Sequence, residues 1–102
     1  MKLSTTDTSH GTLITIETDE NLDLQAEEVF LNACRLAGQP GLDTIEVNLG
    51  RTRNIRGSGV ALLKMLRERT SALPKLIRLV NCNPEIRHQL VTSSIGRQFQ
   101  VV

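Results

Sequence analysis

The chain of 102 residues is poor in aromatics: two phenylalanines, Phe30 and Phe99, with no tryptophan and no tyrosine. That excludes a stacking platform for single-stranded nucleic acid and an aromatic cage for a cation. Cysteine is also scarce. Cys34 and Cys82 are too few for a disulfide scaffold and too isolated for a zinc site, so they read as small buried hydrophobes in a reduced, cytoplasmic protein. Nothing approaches the roughly 20 apolar residues of a membrane span. The first residues carry one lysine and then polar side chains, unlike a secretory signal. Only two histidines occur, His10 in a turn and His88 beside Arg87 and Gln89. No feature couples either to a nucleophile or a metal, so no catalytic residue, metal ligand or cofactor is expected and the chain reads as a non-enzyme. The acids of residues 17–28 lack the glycine and late glutamate of a calcium hand.

What is present is an ordinary globular composition, 39% hydrophobic and 23% charged, in one domain spanning residues 1–102. The net charge of +1 hides a polarity. Residues 1–50 hold nine acids against Lys2 and Arg35, a net −7; residues 51–102 hold ten bases against Glu68 and Glu85, a net +8. Such a division orients a partner, or the two halves neutralise each other within one fold.

The pattern along the chain alternates strand and helix. Lys2 to Thr6 is a weak edge strand, and Thr12 to Thr18 a β-branched strand with Ile14 and Ile16 on one face. Asp19 to Asp23 reads as an acidic, exposed turn. Asp23 caps a helix of roughly four turns, with Ala26, Val29, Phe30, Ala33 and Ala37 at helical spacing. Gly38 stops it, and Pro40-Gly41 makes the turn. Thr44 to Leu49 is a strand; Gly50 to Gly57 reads as a loop too polar for the core. Ser58 opens a helix through Val60, Leu62, Leu63, Met65 and Leu66 to Thr70. Leu76 to Cys82, apolar apart from Arg78, predicts a central strand covered on both faces. Asn83-Pro84-Glu85 is a helix start, with Ile86, Leu90 and Val91 on the buried side and Gly96 at the close. Gln98 to Val102 is the last strand. These crossovers suit an α/β fold with a mainly parallel sheet of four or five strands and one antiparallel edge.

The run Arg51 to Val60, RTRNIRGSGV, lies where a strand ends and a helix begins. In a parallel sheet this is the carboxyl edge, where ligands and partners bind. Arg51, Arg53 and Arg56 add positive charge there, and the helix start adds more. The run lacks the Gly-Lys-Ser/Thr of a phosphate-binding P-loop. It reads as a receptor for an anion or an acidic partner, or as a solvated capping loop.

The segment Leu49 to Leu66 and the run LIRLVNCNPEIRHQLVTSSIGRQFQV resemble the STAS domain of bacterial anti-sigma factor antagonists. The resemblance covers roughly residues 12–102. Leu22-Asp23 falls on the family's Gly-x-Leu-Asp turn, with Glu20 in place of the glycine. Glu46-Val47-Asn48-Leu49 falls on its central strand, Asn83 to Arg87 on its third helix start and Ser94-Ile95-Gly96 on that helix's ending. The resemblance implies a STAS-like fold and a non-catalytic module of signalling and transcription regulation, which binds a protein partner, an anti-sigma factor that is also a serine kinase. It also implies a phosphorylation motif, Asp-Ser/Thr-Ser-Gly, at the second helix start. Here that motif reads Arg56-Gly57-Ser58-Gly59. The acceptor position is Gly57, which has no hydroxyl. Ser58 is the remaining candidate for phosphorylation, displaced by one residue, or about 100° around a helix. The partner-binding residues implied are Asp23, Arg51, Arg53, Arg56, Gly57, Ser58, Gly59, Lys64 and Arg67, with Glu68 beside them. Other members of the fold imply alternatives: a soluble subunit on the ATPase of a lipid-transport ABC complex, a small-anion or nucleotide sensor, or a homodimer.

Overall fold

The computed structural model describes residues 1–9, 11–38, 41–70, 76–93 and 99–102. His10, Pro40, Pro74 and the predicted helix ending Ser94-Ile95-Gly96 lie outside them. The order of elements follows the alternation in the sequence. Strand β1 (Lys2–Thr8) and β2 (Gly11–Glu17) form an antiparallel hairpin. After them come β3 (Asn21–Leu22), a 3-10 turn (Leu24–Ala26), α1 (Glu27–Ala37) and β4 (Leu42–Asn48). Then follow β5 (Asn54–Ile55), α2 (Gly57–Thr70), β6 (Leu76–Val80), α3 (Pro84–Thr92) and β7 (Gln100–Val101). Five strands make one sheet in the order β1-β2-β4-β6-β7, parallel from β2 onward, so the mainly parallel α/β fold with an antiparallel N-terminal edge is as expected.

The local signals act as their chemistry dictates. Asp23 accepts the Gln25 N–H at 3.0 Å, though it caps the 3-10 turn and the α-helix proper begins at Glu27. Asn83 accepts the Ile86 N–H at 2.8 Å, and Pro84 takes the first helical position, where no N–H is needed.

The core lies on one side of the sheet. Ile14 and Ile16 of β2, Ile45 and Val47 of β4, and Ile77 and Leu79 of β6 form a single buried cluster. Phe30 and Ala33 of α1, Leu62, Leu63 and Leu66 of α2, and Ile86 and Leu90 of α3 complete it. The opposite side chains of the same strands, Thr15 and Glu17, Glu46 and Asn48, Arg78 and Val80, are all half-buried. Across that second face Arg78 donates to Glu46 at 2.9 Å, with the two side chains 33% and 22% exposed. The expectation of a central strand covered on both faces is therefore corrected. Among the described residues no helix lies over Arg78, which is why a charged pair is tolerated there without complete desolvation. Val91 is a second correction: placed on the buried side from its spacing, it is 57% exposed, because Ile86 and Leu90 alone cover the contact made by a short helix.

Two connections differ more substantially. The acidic turn after β2 is not wholly exposed, since Leu22 is completely buried. The 50–57 loop was expected outside the core, yet Thr52 is completely buried and Ile55 only 8% exposed. The reason is a second, two-stranded parallel sheet, in which Asn21 and Leu22 pair with Asn54 and Ile55. Residues 33 apart supply each other's backbone partners, a contact invisible to local patterning.

Candidate functional site

The carboxyl ends of β2, β4 and β6 open towards the start of α2. Here the 50–57 segment forms an arm held from three directions. Its backbone is pinned to the acidic turn: the Arg53 and Asn54 N–H groups donate to the Glu20 carbonyl at 2.8 and 3.1 Å, and Arg56 N–H to the Leu22 carbonyl at 2.9 Å. Its underside carries a pair of buried threonines. The Thr52 hydroxyl donates to the Asp19 carbonyl at 2.7 Å and hydrogen-bonds the Thr18 hydroxyl, which also reaches the Asn48 carbonyl. From α3, the Asn83 amide donates to the Thr52 carbonyl at 3.2 Å and the Gln89 amide to the Ile55 carbonyl at 3.3 Å. Buried polar groups with satisfied partners rigidify what surrounds them.

On this fixed backbone the side chains alternate. Thr52 and Ile55 point inward, while Arg51, Arg53 and Arg56 are exposed. None of the three arginines forms an ion pair among the described residues, where the ion pairs are Met1 to Asp19 and Arg78 to Glu46. Glu20 and Asp19 line the same hollow as Arg51 and Arg53, but they hold the arm through their carbonyls and not their carboxylates. The charge of the second half thus faces solvent here unneutralised.

The two glycines at the helix start do different things. Gly59 is buried, and a Cβ built on it would lie 2.2 Å from the Leu22 carbonyl oxygen. Its role is to seat α2 against β3, so it contributes backbone packing beneath the surface. Gly57 is exposed, has nothing within 4 Å of a Cβ and does not adopt a left-handed backbone. No packing or strain requires glycine there. Ser58 is half-buried in the first turn of α2, and its hydroxyl has no hydrogen-bond partner among the described residues. Asp23 is half-buried and spends one carboxylate oxygen on its cap. Lys64 and Glu68 are exposed on α2 and Arg67 is half-buried beside them. Arg51, Arg53, Arg56, Gly57 and Ser58 follow one another along the arm and the first turn of α2, with the arm bonded to the 19–22 turn; Lys64 and Arg67 lie about two and three turns further along α2, and Gly59 is buried beneath its first turn. Sequence reasoning missed Asn83 and Gln89 as holders of the arm, and Leu24, whose side chain is 61% exposed beside the Asp23 cap. The large apolar exposure of Leu24, following a cap residue, has no local signature.

The structure bears a strong likeness to a solved one. The anti-sigma factor antagonist SpoIIAA in its unphosphorylated form matches with a TM-score of 0.75 at 20% sequence identity, over 99% of this chain and 88% of that one. The fold is that of a STAS domain. The Bacillus cell fate determinant SpoIIAA in its phosphorylated form also matches, with a TM-score of 0.64 at 20% identity, over 99% of this chain and 91% of that one. No family model and no curated protein sequence matches the chain. At this identity the STAS likeness establishes the fold; the chemistry of the arm must be read from this chain's own residues.

The two thiols offer no alternative centre. Cys34 borders a hollow of about 490 Å³ with Leu31, Arg35 and Arg69, and burial pushes its thiol above the ordinary value of 9.0 despite the nearby Arg69. Burial raises Cys82 likewise, against the opposing pull of Arg87. A thiol held protonated is a poor nucleophile.

Proposed function

We propose that this chain is a non-catalytic protein-binding module of the anti-sigma factor antagonist kind, acting in the cytoplasm in bacterial signalling. It docks an acidic face of its partner through Arg51, Arg53 and Arg56, with Lys64 and Arg67 of α2 extending the surface. The observation that carries this reading is the arm itself: three exposed arginines without ion-pair partners among the described residues, on a backbone hydrogen-bonded to two neighbouring elements. A rigid array of unpaired charge lowers the ordering cost of association and steers encounter. The likeness to SpoIIAA, an anti-sigma factor antagonist with phosphorylated and unphosphorylated forms, supports the partner class. Position 57 is not a switch in this chain, because glycine offers no acceptor oxygen.

The test is capture from the native cell lysate with the parent chain and with Arg51→Ser, Arg53→Ser and Arg56→Ser combined, followed by association kinetics on the purified partner. The triple variant is expected to associate more slowly with its melting temperature unchanged, and the parent to weaken as salt shortens the screening length to about 8 Å. Loss of stability with unchanged association would assign the arginines to the fold itself. Incubation of the captured kinase with ATP, read by mass spectrometry, is expected to leave residue 58 unmodified; robust phosphorylation of Ser58 would restore a displaced switch.

A further inference from the structure

Next to the arm, at the carboxyl ends of three parallel strands, is a cleft of about 300 Å³ lined by Glu17, Thr18, Asn48, Gly50, Arg51 and Asn81. That volume is at the small end of ligand sites. Its polar groups are fixed in a specific pattern. Asn48 Oδ1 accepts the Gly50 N–H at 2.9 Å, so the amide has one orientation and its NH2 remains as a donor. Thr18 is committed to the buried threonine pair and forms the floor. Asn81 holds a left-handed backbone, φ 60°, at the end of β6, and its side chain is exposed. Glu17 and Arg51 line the same cleft, and neither forms an ion pair, with the other or with any described residue. Lys2 lies opposite Glu17 in the β1–β2 register without pairing to it.

From this arrangement we infer that the cleft is a binding site for a small zwitterion, a free α-amino acid. Arg51 and the Asn48 amide receive the carboxylate, Glu17 receives the ammonium, and the Asn81 amide closes over the polar end. Opposite charges that line one cleft without neutralising each other suit a ligand carrying both complements, because each charge then gains a charge-assisted hydrogen bond. A ligand with only one charge leaves the other group unanswered. The site shares Arg51 with the proposed docking surface, but it needs no partner to be tested, and Glu17, Asn48 and Asn81 belong to the cleft alone.

The probes are glycine, L-alanine and L-glutamine, with acetate and methylamine as single-charge controls, titrated into the 15N-labelled full chain and followed by amide chemical shifts. The expected result is saturable shifts at Glu17, Asn48, Gly50, Arg51 and Asn81 with the amino acids and none with either control. Glu17→Gln, at a half-buried position, and Arg51→Gln, at an exposed one, should each weaken binding roughly tenfold or more. Asn81→Gly keeps the left-handed backbone available while removing the amide, and should weaken binding by a smaller factor. The proposal is overturned if no amino acid saturates, if acetate binds as well as glycine, or if both charge variants bind as the parent does.

Discussion

Two polar segments border the sheet. Lys2–Thr8 carries threonines, a serine, a lysine and an aspartate; residues 51–56 carry three arginines, a threonine and an asparagine. In the fold β1 is an edge strand whose residues from Thr5 onward are exposed, and among the described strands it pairs with β2 alone. The 51–56 arm has two inward side chains, backbone bonds to the acidic turn and side-chain bonds from α3. The difference shows that polarity of sequence does not set burial. What sets it is how many of a segment's polar groups find partners in distant parts of the fold. The arm is bonded to two other segments and carries its charged side chains on a fixed backbone; β1 is bonded along its length to β2.

This contrast can be broken in graded steps. The largest effect is expected from Gly59→Ala, since the new Cβ would overlap the Leu22 carbonyl on which the arm's second sheet depends. Even after the roughly 1 kcal/mol that alanine gains in a helix, the loss should be about 2 kcal/mol, a fall of about 10 °C in Tm by calorimetry. Next is Thr52→Val, which keeps the shape and removes the buried hydroxyl that holds Asp19 and Thr18. A loss of about 1 kcal/mol in denaturant unfolding is expected, together with faster hydrogen exchange at the Arg53 and Asn54 amides. Should exchange stay slow, the backbone bonds to Glu20 suffice by themselves to hold the arm.

A smaller effect is expected at alkaline pH. The folded state holds the Cys34 and Cys82 thiols protonated more strongly than the unfolded chain does. Their contribution to stability is complete below the ordinary value of 9.0 and is lost as pH rises through the higher folded-state values. Both thiols are only partly enclosed, so solvent screening keeps the decline shallow. Cys34→Ala with Cys82→Ala should flatten it in melts run across that range. The smallest effects, within about 0.5 kcal/mol, are expected for Thr6→Ala on the free edge and for Gly57→Ser, alone or with Arg56→Asp. The Gly57 result sharpens the comparison between the two glycines two residues apart: one position is open and the other closed against a carbonyl. A large loss at position 57 would mean that the arm depends on its glycine as well as on its threonine.

The parts of the candidate site that were legible in sequence are those whose information is local. Arg51, Arg53 and Arg56 announce a basic stretch between a strand and a helix, and Asn83 and Asp23 announce caps, because a cap is satisfied within three residues of itself. The pairing of Asn21-Leu22 with Asn54-Ile55 was not legible, since two-residue strands have no period to detect. The burial of Thr52 was hidden for a related reason: its partners, Thr18 and Asp19, lie more than thirty residues away.

By itself the sequence determined the order of strands and helices, their caps, the apolar stripes and the division of charge between the halves. These follow from side-chain periodicity, backbone propensity and composition, which need no knowledge of neighbours. Only the tertiary structure decided that one face of the sheet is covered and the other carries the Arg78–Glu46 pair in partial contact with water. It also decided that Gly59 is a packing residue and Gly57 a vacant position, a difference that is set by the approach of the Leu22 carbonyl. The physical reason is the same in both cases. Burial and close approach belong to pairs of segments distant along the chain, and those pairs exist once the chain has folded.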